Sequence, residues 1–267
     1  MTPSPERASP PVVLCDLDGV VWRGPVPIRG AAEGIAELRA RGVRVGFVTN
    51  NSGATIDQYV ARLRAAGVDA TAAEVVSSAT AAAALLGGEL ARGATVLACA
   101  GPGVREALEQ GGFRVVDAPP ADAVVVGWHR DFDFDRLAVA ADAVRAGARF
   151  VATNLDPTYP VPDGLLPGNG ALVAAVSTAA RRAPVVAGKP EAPTVALVRQ
   201  RFGDRGVVVG DRPSTDGALA SALGWPFALV LSGVAGSAGE EPIPDPPPRF
   251  VAADLGALAP ELLRAFR

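Results

Sequence analysis

Four aspartates follow short apolar runs, at positions where strands of a sheet would end. Asp16 and Asp18 close the run VVLC, while Asp211 closes GVVVG and is followed by Asp216. Ligands of open α/β sheets bind beyond the carboxyl ends of the strands. Carboxylates at i and i+2 on an extended chain point the same way and repel each other, so such a site needs a cation. Aspartates grouped without His or Cys predict a hard dication, most naturally Mg²⁺.

Polar residues of other kinds end two further apolar runs. Thr49, Asn50 and Asn51 follow VRVGFV, and Lys189 follows APVVAG. A lysine at this edge of a sheet would supply positive charge facing a phosphate. Taken singly, each residue also fits a plainer role: Thr49 as a helix cap, the asparagines as turn residues and the lysine as a surface charge. Either of the later two aspartates would likewise fit as a helix cap.

Short Val-rich runs alternate with Ala-rich amphipathic stretches along the whole chain. The run PVVLCD precedes 30–41, VRVGFVTN precedes 55–66, ADAVVVG precedes 133–147 and GVVVGD precedes 214–223. This alternation predicts parallel strands joined by crossover helices. Most of the runs are apolar throughout, as expected for a sheet covered on both faces. The expected fold class is α/β, with a proline-rich surface loop at 239–248.

Composition narrows the class of function. The chain has 267 residues, of which 49% are hydrophobic and 20% charged, with a formal net charge of -3. This is an ordinary globular composition, and its charge argues against nucleic acid as a partner. The sequence contains no run of about 18 apolar residues, so it predicts no membrane-spanning helix. Its first ten residues do not resemble a secretory signal. We therefore expect a cytoplasmic protein with a short frayed tail and a small-molecule substrate.

Histidine and cysteine content excludes several kinds of site. His129 is the single histidine, which excludes any site that needs two, and the nucleophile-elbow sequence of a Ser-His-Asp hydrolase is missing. Cys15 and Cys99 each end an apolar run without metal-type or redox-type spacing. We expect them to be buried free thiols.

Four motifs, in order, resemble those of the haloacid dehalogenase (HAD) superfamily: D-L-D-G-V-V-W-R-G, T-N-N-S, G-K-P and G-D-R-P-S-T-D. More narrowly, the chain resembles the NagD and 4-nitrophenylphosphatase branch, through A-T-N-L-D-P-T-Y-P and V-L-S-G-V as well. The resemblance covers nearly the whole chain beyond residue 10. It implies a Rossmann-like parallel-sheet core, a Mg²⁺-dependent phosphatase activity and a small phosphate monoester as substrate.

The resemblance also implies a role for each motif residue. These roles are Asp16 as nucleophile, Asp18 as general acid and base, Thr49 and Asn50 as hydrogen-bonding partners of the phosphoryl group, and Lys189 as the residue that neutralises charge. Mg²⁺ would be held by Asp16, Asp211 and the backbone carbonyl of Asp18, with Asp216 supporting the ligands.

The position of a cap domain follows from the distances between motifs. Between 21 and 48 there is room only for a turn, a helix and a strand, whereas well over a hundred residues with several βα units of their own separate Asn51 from Lys189. We therefore predict an inserted α/β cap at 81–183 and a discontinuous core made of 1–80 and 184–267. This arrangement resembles the class IIA caps of the superfamily, which are compatible with a homodimer through the cap.

Residues that end strands of the predicted cap are candidates for the leaving-group pocket. Trp128 and His129 follow ADAVVVG, and Asn154 and Asp156 follow RFVAT. With Asn51 from the core, they are the candidate substrate-binding residues. His129 would also fit a surface or pocket-wall position, and Trp128 would also fit the packing between cap elements.

Three other functions share part of this pattern. A phosphoacceptor signalling protein also combines an acidic cluster, a Thr and a Lys at strand ends, but its phosphorylated aspartate follows a later strand. A phosphomutase or another phosphotransferase would keep the motifs, and a dehalogenase would not need Asp18. The leaving group stays open among sugar phosphates, glycerol phosphate, phosphoglycolate, nucleoside monophosphates and pyridoxal phosphate.

Overall fold

The computed structural model describes residues 11–161, 164–233 and 246–266. The tail predicted for residues 1–10 and most of the loop predicted for 239–248 lie outside these ranges. No helix within the described residues is long and apolar enough to cross a membrane.

Strands and helices alternate along the chain, as predicted. In chain order the strands are β1 (Val12–Cys15), β2 (Trp22–Arg23), β3 (Val26–Pro27), β4 (Arg44–Thr49), β5 (Val75–Ser77), β6 (Thr95–Cys99), β7 (Arg114–Val116), β8 (Ala123–Val126), β9 (Arg149–Ala152), β10 (Thr158–Val161), β11 (Gly164–Pro167), β12 (Val185–Val186), β13 (Gly206–Gly210), β14 (Phe227–Val230) and β15 (Phe250–Ala252). The helices are α1 (Ala31–Ala40), α2 (Ile56–Ala65), α3 (Ser78–Glu89), α4 (Pro102–Gln110), α5 (Phe134–Arg145), α6 (Asn169–Ala180), α7 (Ala192–Phe202), α8 (Ala218–Leu223) and α9 (Leu255–Ala265).

A six-stranded parallel sheet forms the core, in the order β15-β14-β13-β1-β4-β5. Its central strand β1 is buried along its whole length. Val13 and Cys15 face the apolar cluster that contains side chains of α1, α2 and α9, whereas Val12 and Leu14 face the cluster that contains side chains of α3, α7 and α8. The fold class is therefore confirmed: the sheet is parallel and covered by helices on both faces.

A second parallel sheet has five strands in the order β12-β9-β8-β6-β7. Helix α3 contacts both α4 and α7, and one continuous apolar cluster reaches from β1 to β6 and β8. The short strand β12 pairs with β9, so the second sheet extends past the predicted cap boundary at 183. The division into a core and a cap domain stays a proposal.

Two small antiparallel hairpins accompany the sheets and were not predicted. Strands β2 and β3 pair directly after the first motif, and β10 pairs with β11 beyond the second sheet. Both hairpins contribute residues to the cavity described below.

Candidate active site

The predicted core residues meet at the carboxyl edge of the six-stranded sheet. Asp16 directly follows β1, Thr49 ends β4 and Asp211 directly follows β13, and β1 lies between β4 and β13. Lys189 joins them from the segment after β12, and Asp216 from a single π-helical turn at Pro213–Gly217. All five side chains are buried, as none of these residues is more than 7% exposed.

Lys189 connects two of the aspartates. Its Nζ lies 2.6 Å from Oδ1 of Asp16 and 2.7 Å from Oδ1 of Asp216. Burial by itself lowers the pKa of Lys189, but the two carboxylates outweigh it and raise the pKa above its ordinary value. The ammonium therefore stays charged at neutral pH, as a residue that neutralises a phosphoryl group must.

Asp16 lies in a strongly acidic environment. Burial raises its pKa well above the ordinary value, Lys189 opposes that rise, and the nearby Asp216 and Asp211 add to it. A nucleophilic carboxylate has to be ionised, so the site requires positive charge beyond that of Lys189.

The acidic group fits a divalent cation. One carboxylate oxygen from each of Asp16, Asp211 and Asp216 lies within 4.8 Å of the other two. Three carboxylates and the ammonium of Lys189 leave two negative charges uncompensated within this group. Hard oxygen donors with this charge suit Mg²⁺. Asp216, predicted only to support the ligands, has an oxygen inside the same group, and a ligand role for the Asp18 carbonyl stays a prediction.

Two glycines surround the Asp211 carboxylate closely. A Cβ on Gly19, whose φ is +90°, would overlap the carboxylate, and so would a Cβ on Gly233. A side chain at either position would displace the Asp211 carboxylate, and the positive φ of Gly19 by itself favours glycine.

Asp18 lies next to this group but is more open to the cavity. It is half-buried, and its Oδ1 accepts a hydrogen bond of 3.0 Å from Nε1 of Trp22. Burial raises the pKa of Asp18, while Arg62 and the hydrogen bond from Trp22 oppose that rise. A carboxyl group with a raised pKa beside the nucleophile suits proton transfer.

The Asn50 side chain makes several hydrogen bonds within the protein. Its Oδ1 accepts from the backbone N–H of Lys189 at 2.7 Å, and its Nδ2 lies 3.2 Å from the Lys189 carbonyl and 3.3 Å from both carboxylate oxygens of Asp156. Both ends of the amide therefore contact protein groups, and the side chain holds the backbone of Lys189 in place. Contact of this side chain with a phosphoryl group stays a prediction that the observed geometry does not favour.

The Thr49 hydroxyl is hydrogen-bonded within its own loop. The Thr49 hydroxyl oxygen accepts from the N–H of Asn51 at 3.1 Å, which leaves the hydroxyl hydrogen for a phosphoryl oxygen. Helix α2 is capped instead by Thr55, in a capping box with Gln58. The helix-cap alternative for Thr49 is therefore wrong.

A cavity of about 770 Å³ opens above these residues. Four of the five predicted substrate-binding residues line it: Asn51, Trp128, Asn154 and Asp156. Their side chains are not equally exposed to a ligand, because Asn154 is buried and its Nδ2 donates to the carbonyl of Asn50 at 2.6 Å. Burial raises the pKa of Asp156, and the nearby Arg212 opposes the rise.

His129 does not line this cavity. It lines a second cavity of about 560 Å³, where its Nδ1 donates to the carbonyl of Gly127 at 2.7 Å. The structure thus does not place His129 in the lining of the main cavity, and contact between His129 and a substrate stays a prediction. Trp128, in contrast, lines both cavities.

Sequence reasoning missed several residues of the main cavity. Tyr159, on β10, lies 4.7 Å from Trp128 between ring centroids, and its hydroxyl accepts from Nδ2 of Asn51 at 3.3 Å. Arg23 and Arg212 add positive charge to the lining. Tyr159 was present in the motif A-T-N-L-D-P-T-Y-P, but its position depends on the hairpin that carries it.

Comparisons with known proteins decide the family. The family model described as haloacid dehalogenase-like hydrolase matches residues 13–114, and a related HAD-hydrolase-like model matches 186–258. An acid sugar phosphatase of Staphylococcus aureus is 37% identical over 224 residues, which cover 83% of this chain and 86% of that protein. The chain belongs to the haloacid dehalogenase-like hydrolases.

Other members of this hydrolase family are similar over most of the chain. D-glycerol 3-phosphate phosphatase of Mycobacterium tuberculosis is 44% identical over 228 residues, which cover 83% of this chain but 63% of that protein. A crystal structure of the mycobacterial glycerol phosphate phosphatase with magnesium has a TM-score of 0.84 at 41% identity, covering 93% of this chain and 76% of that one.

A solved structure also supports the narrower resemblance. The p-nitrophenyl phosphatase of Archaeoglobus fulgidus has a TM-score of 0.84 at 29% identity, covering 94% of this chain and 98% of that chain. The resemblance to the NagD and 4-nitrophenylphosphatase branch is confirmed.

Proposed function

We propose that this chain is a Mg²⁺-dependent phosphatase that hydrolyses small phosphate monoesters through an aspartyl-phosphate on Asp16. The observation that carries the proposal is the arrangement around Lys189, whose ammonium contacts the Asp16 carboxylate within an acidic group suited to a dication. The related phosphatases support both the reaction and the metal. The enzyme is thus a phosphoric monoester hydrolase.

In the first step, a carboxylate oxygen of Asp16 attacks phosphorus as the bond to the leaving-group oxygen breaks. Lys189 and the Thr49 hydroxyl face the phosphoryl oxygens, and Asp18 gives its proton to the departing oxygen. In the second step, Asp18 takes a proton from water, whose oxygen attacks phosphorus and releases the Asp16 carboxylate. Bound Mg²⁺, held by Asp16 and Asp211, would offset negative charge on the phosphoryl group.

Glycerol phosphate or a sugar phosphate is the substrate we propose. The relatives' names support this choice, and the cavity of about 770 Å³ leaves ample room for a polyol beyond the phosphoryl group. We further propose that the second sheet and the β10–β11 hairpin form the cap that roofs the cavity. A homodimer through the cap and a cytoplasmic location stay predictions, as does the absence of nucleic-acid and membrane partners.

The test measures inorganic phosphate released from a panel of phosphate monoesters, with either Mg²⁺ or a chelator present. Wild-type enzyme should release phosphate only with Mg²⁺. Asp16→Asn should abolish turnover, because the amide is nearly isosteric but is not a nucleophile. Asp69→Asn is the matched control, since that side chain is 97% exposed.

Two results would contradict the proposal. The nucleophile assignment fails if folded Asp16→Asn keeps substantial Mg²⁺-dependent activity. Transfer of the phosphoryl group to a second substrate, with no free phosphate, would instead indicate a phosphotransferase.

A further inference from the structure

Trp22 lies in direct contact with the proposed acid and base. The chain folds back after the nucleophile: the N–H of Gly19 donates to the Trp22 carbonyl at 2.7 Å, and the N–H of Trp22 lies 3.2 Å from the Leu17 carbonyl. This tight loop places the indole Nε1 at 3.0 Å from Oδ1 of Asp18. The backbone hydrogen bonds of the first motif therefore fix the position of Trp22, which is the donor of this hydrogen bond.

The indole is itself immobilised. Trp22 is 1% exposed and packs in the apolar cluster that contains Leu17 and Tyr59. The Arg62 guanidinium lies 3.9 Å above the ring centroid and donates to the carbonyl of Gly24 in the β2–β3 turn. A ring covered in this way cannot swing, so the N–H points at one fixed spot.

Asp18, by contrast, is half-buried at the cavity wall and would have rotational freedom without this contact. The terminal torsion of an aspartate is broad and roughly two-fold, so its two oxygens can exchange places. With Oδ1 accepting from the indole, Oδ2 is the oxygen that is presented to a reacting group.

We propose that Trp22 is a positioning residue that holds Oδ1 of Asp18, so that Oδ2 carries out both proton transfers. The proposal rests on the proposed function. In the first step, the proton on Oδ2 passes to the leaving-group oxygen as its bond to phosphorus breaks. In the second, Oδ2 takes a proton from the water that attacks the aspartyl-phosphate, and the bond between phosphorus and Asp16 breaks.

The test compares two esters in Trp22→Phe, which keeps a ring under Arg62 but removes the N–H. An alkyl phosphate needs a proton on its departing alkoxide, whereas 4-nitrophenolate departs without one. Turnover of glycerol phosphate should fall about ten-fold at similar KM, the effect of one hydrogen bond. The rapid release of 4-nitrophenol in the first turnover should change less than about two-fold.

Trp225→Phe is the matched control. Trp225 is also buried, and its Nε1 donates to the backbone carbonyl of Asp204 at 2.8 Å, outside the cavity lining. Losing this indole N–H should leave the ratio of the two rates unchanged. If Trp22→Phe lowers both rates equally, as a general structural defect would, the proposal is wrong.

A double-mutant cycle separates positioning from folding. If Trp22 acts through Asp18, then Trp22→Phe should cause no further loss of alkyl phosphate turnover when Asp18 is already Asn. Additive losses would overturn the proposal. Failure of the proposed function itself would look different, because the wild-type enzyme would then form no phosphoenzyme and Asp16→Asn would stay active.

Discussion

The two walls of the active-site cavity are built in different ways. On the wall that combines the edge of the six-stranded sheet with the segment after β12, Asp16, Lys189 and Asp211 are buried, and Lys189 contacts two aspartates. On the opposite wall, Trp128 and Tyr159 are half-buried, and Leu165 is 67% exposed. Altering a buried charged group leaves its charged partners uncompensated, whereas replacing a half-buried or exposed apolar side chain leaves no charge unpaired. The first wall is therefore suited to a reaction that stays the same for every substrate. The second wall is suited to contacts that differ from one leaving group to another.

Among the substitutions that test the difference between the two walls, Asp18→Asn is expected to have the largest effect on turnover. Turnover of an alkyl phosphate should fall by about 10² to 10⁴-fold, the usual range for general acid catalysis. With 4-nitrophenyl phosphate, the mutant should release a burst of nitrophenol and then stall with phosphate on Asp16, because water attack lacks its base. Rapid-mixing kinetics measure the burst. Equal losses on both esters without a trapped phosphoenzyme would mean that the proton comes from another group.

Asn50→Asp tests the connection between the two walls. The new carboxylate would lie beside the Lys189 carbonyl and the Asp156 carboxylate, where the amide now donates. We expect a loss of about 2 kcal/mol in the free energy of unfolding, with a fall in kcat of roughly 10- to 100-fold. Denaturant unfolding and steady-state kinetics measure the two effects.

The neighbouring residue offers a control for this substitution. In Asn51→Asp, the side-chain oxygen that accepts from the N–H of Gly53 at 2.9 Å is retained, so the loss of stability should be smaller. If Asn50→Asp raised only KM and left stability unchanged, Asn50 would be a phosphoryl ligand and not a residue that positions Lys189.

Asp211→Asn should mainly weaken the binding of Mg²⁺. Replacing one charged oxygen ligand is expected to raise the Mg²⁺ concentration for half-maximal activity by roughly ten-fold or more. A magnesium titration of activity at saturating substrate measures this shift, with Asp69→Asn as the exposed control. An unchanged titration would remove Asp211 from the set of ligands.

The smallest effect is expected on the aromatic wall. Trp128→Leu removes the ring that packs against Tyr159, and should change the ranking of natural phosphate esters by a few-fold, of the order of 1 kcal/mol. Activity on 4-nitrophenyl phosphate should change less. Phe134→Leu, on a side chain that is 80% exposed outside the cavity, is the matched control. A uniform loss on every substrate would assign Trp128 a structural role.

The sequence predicts the charged wall better than the aromatic one. Asp16, Thr49 and Asp211 end neighbouring parallel strands, and the carboxyl ends of such strands must share one edge of the sheet. The positions of Tyr159 and Trp22 depend instead on two short hairpins. Nothing in the spacing of Asp18 and Trp22 shows that a tight loop will bring an indole N–H to a carboxylate.

Two other differences depend on contacts between residues that are far apart in the sequence. The motif order implied that Asn50 contacts the phosphoryl group, but the hydrogen-bond partners of its amide come from residues more than a hundred positions away. The run that contains β12 fits either sheet, and only its pairing with β9 decides the matter.

The pairing of β1 with β13 has a consequence for how a newly synthesised chain matures. Val12 lies opposite Gly206, so about 190 residues must be made between these partners. At roughly 5–20 residues per second, the interval is about 10–40 seconds. The strands of the second sheet are closer together along the chain and can pair during that time. Asp16 therefore leaves the ribosome well before Asp211, which can reach it only after this interval.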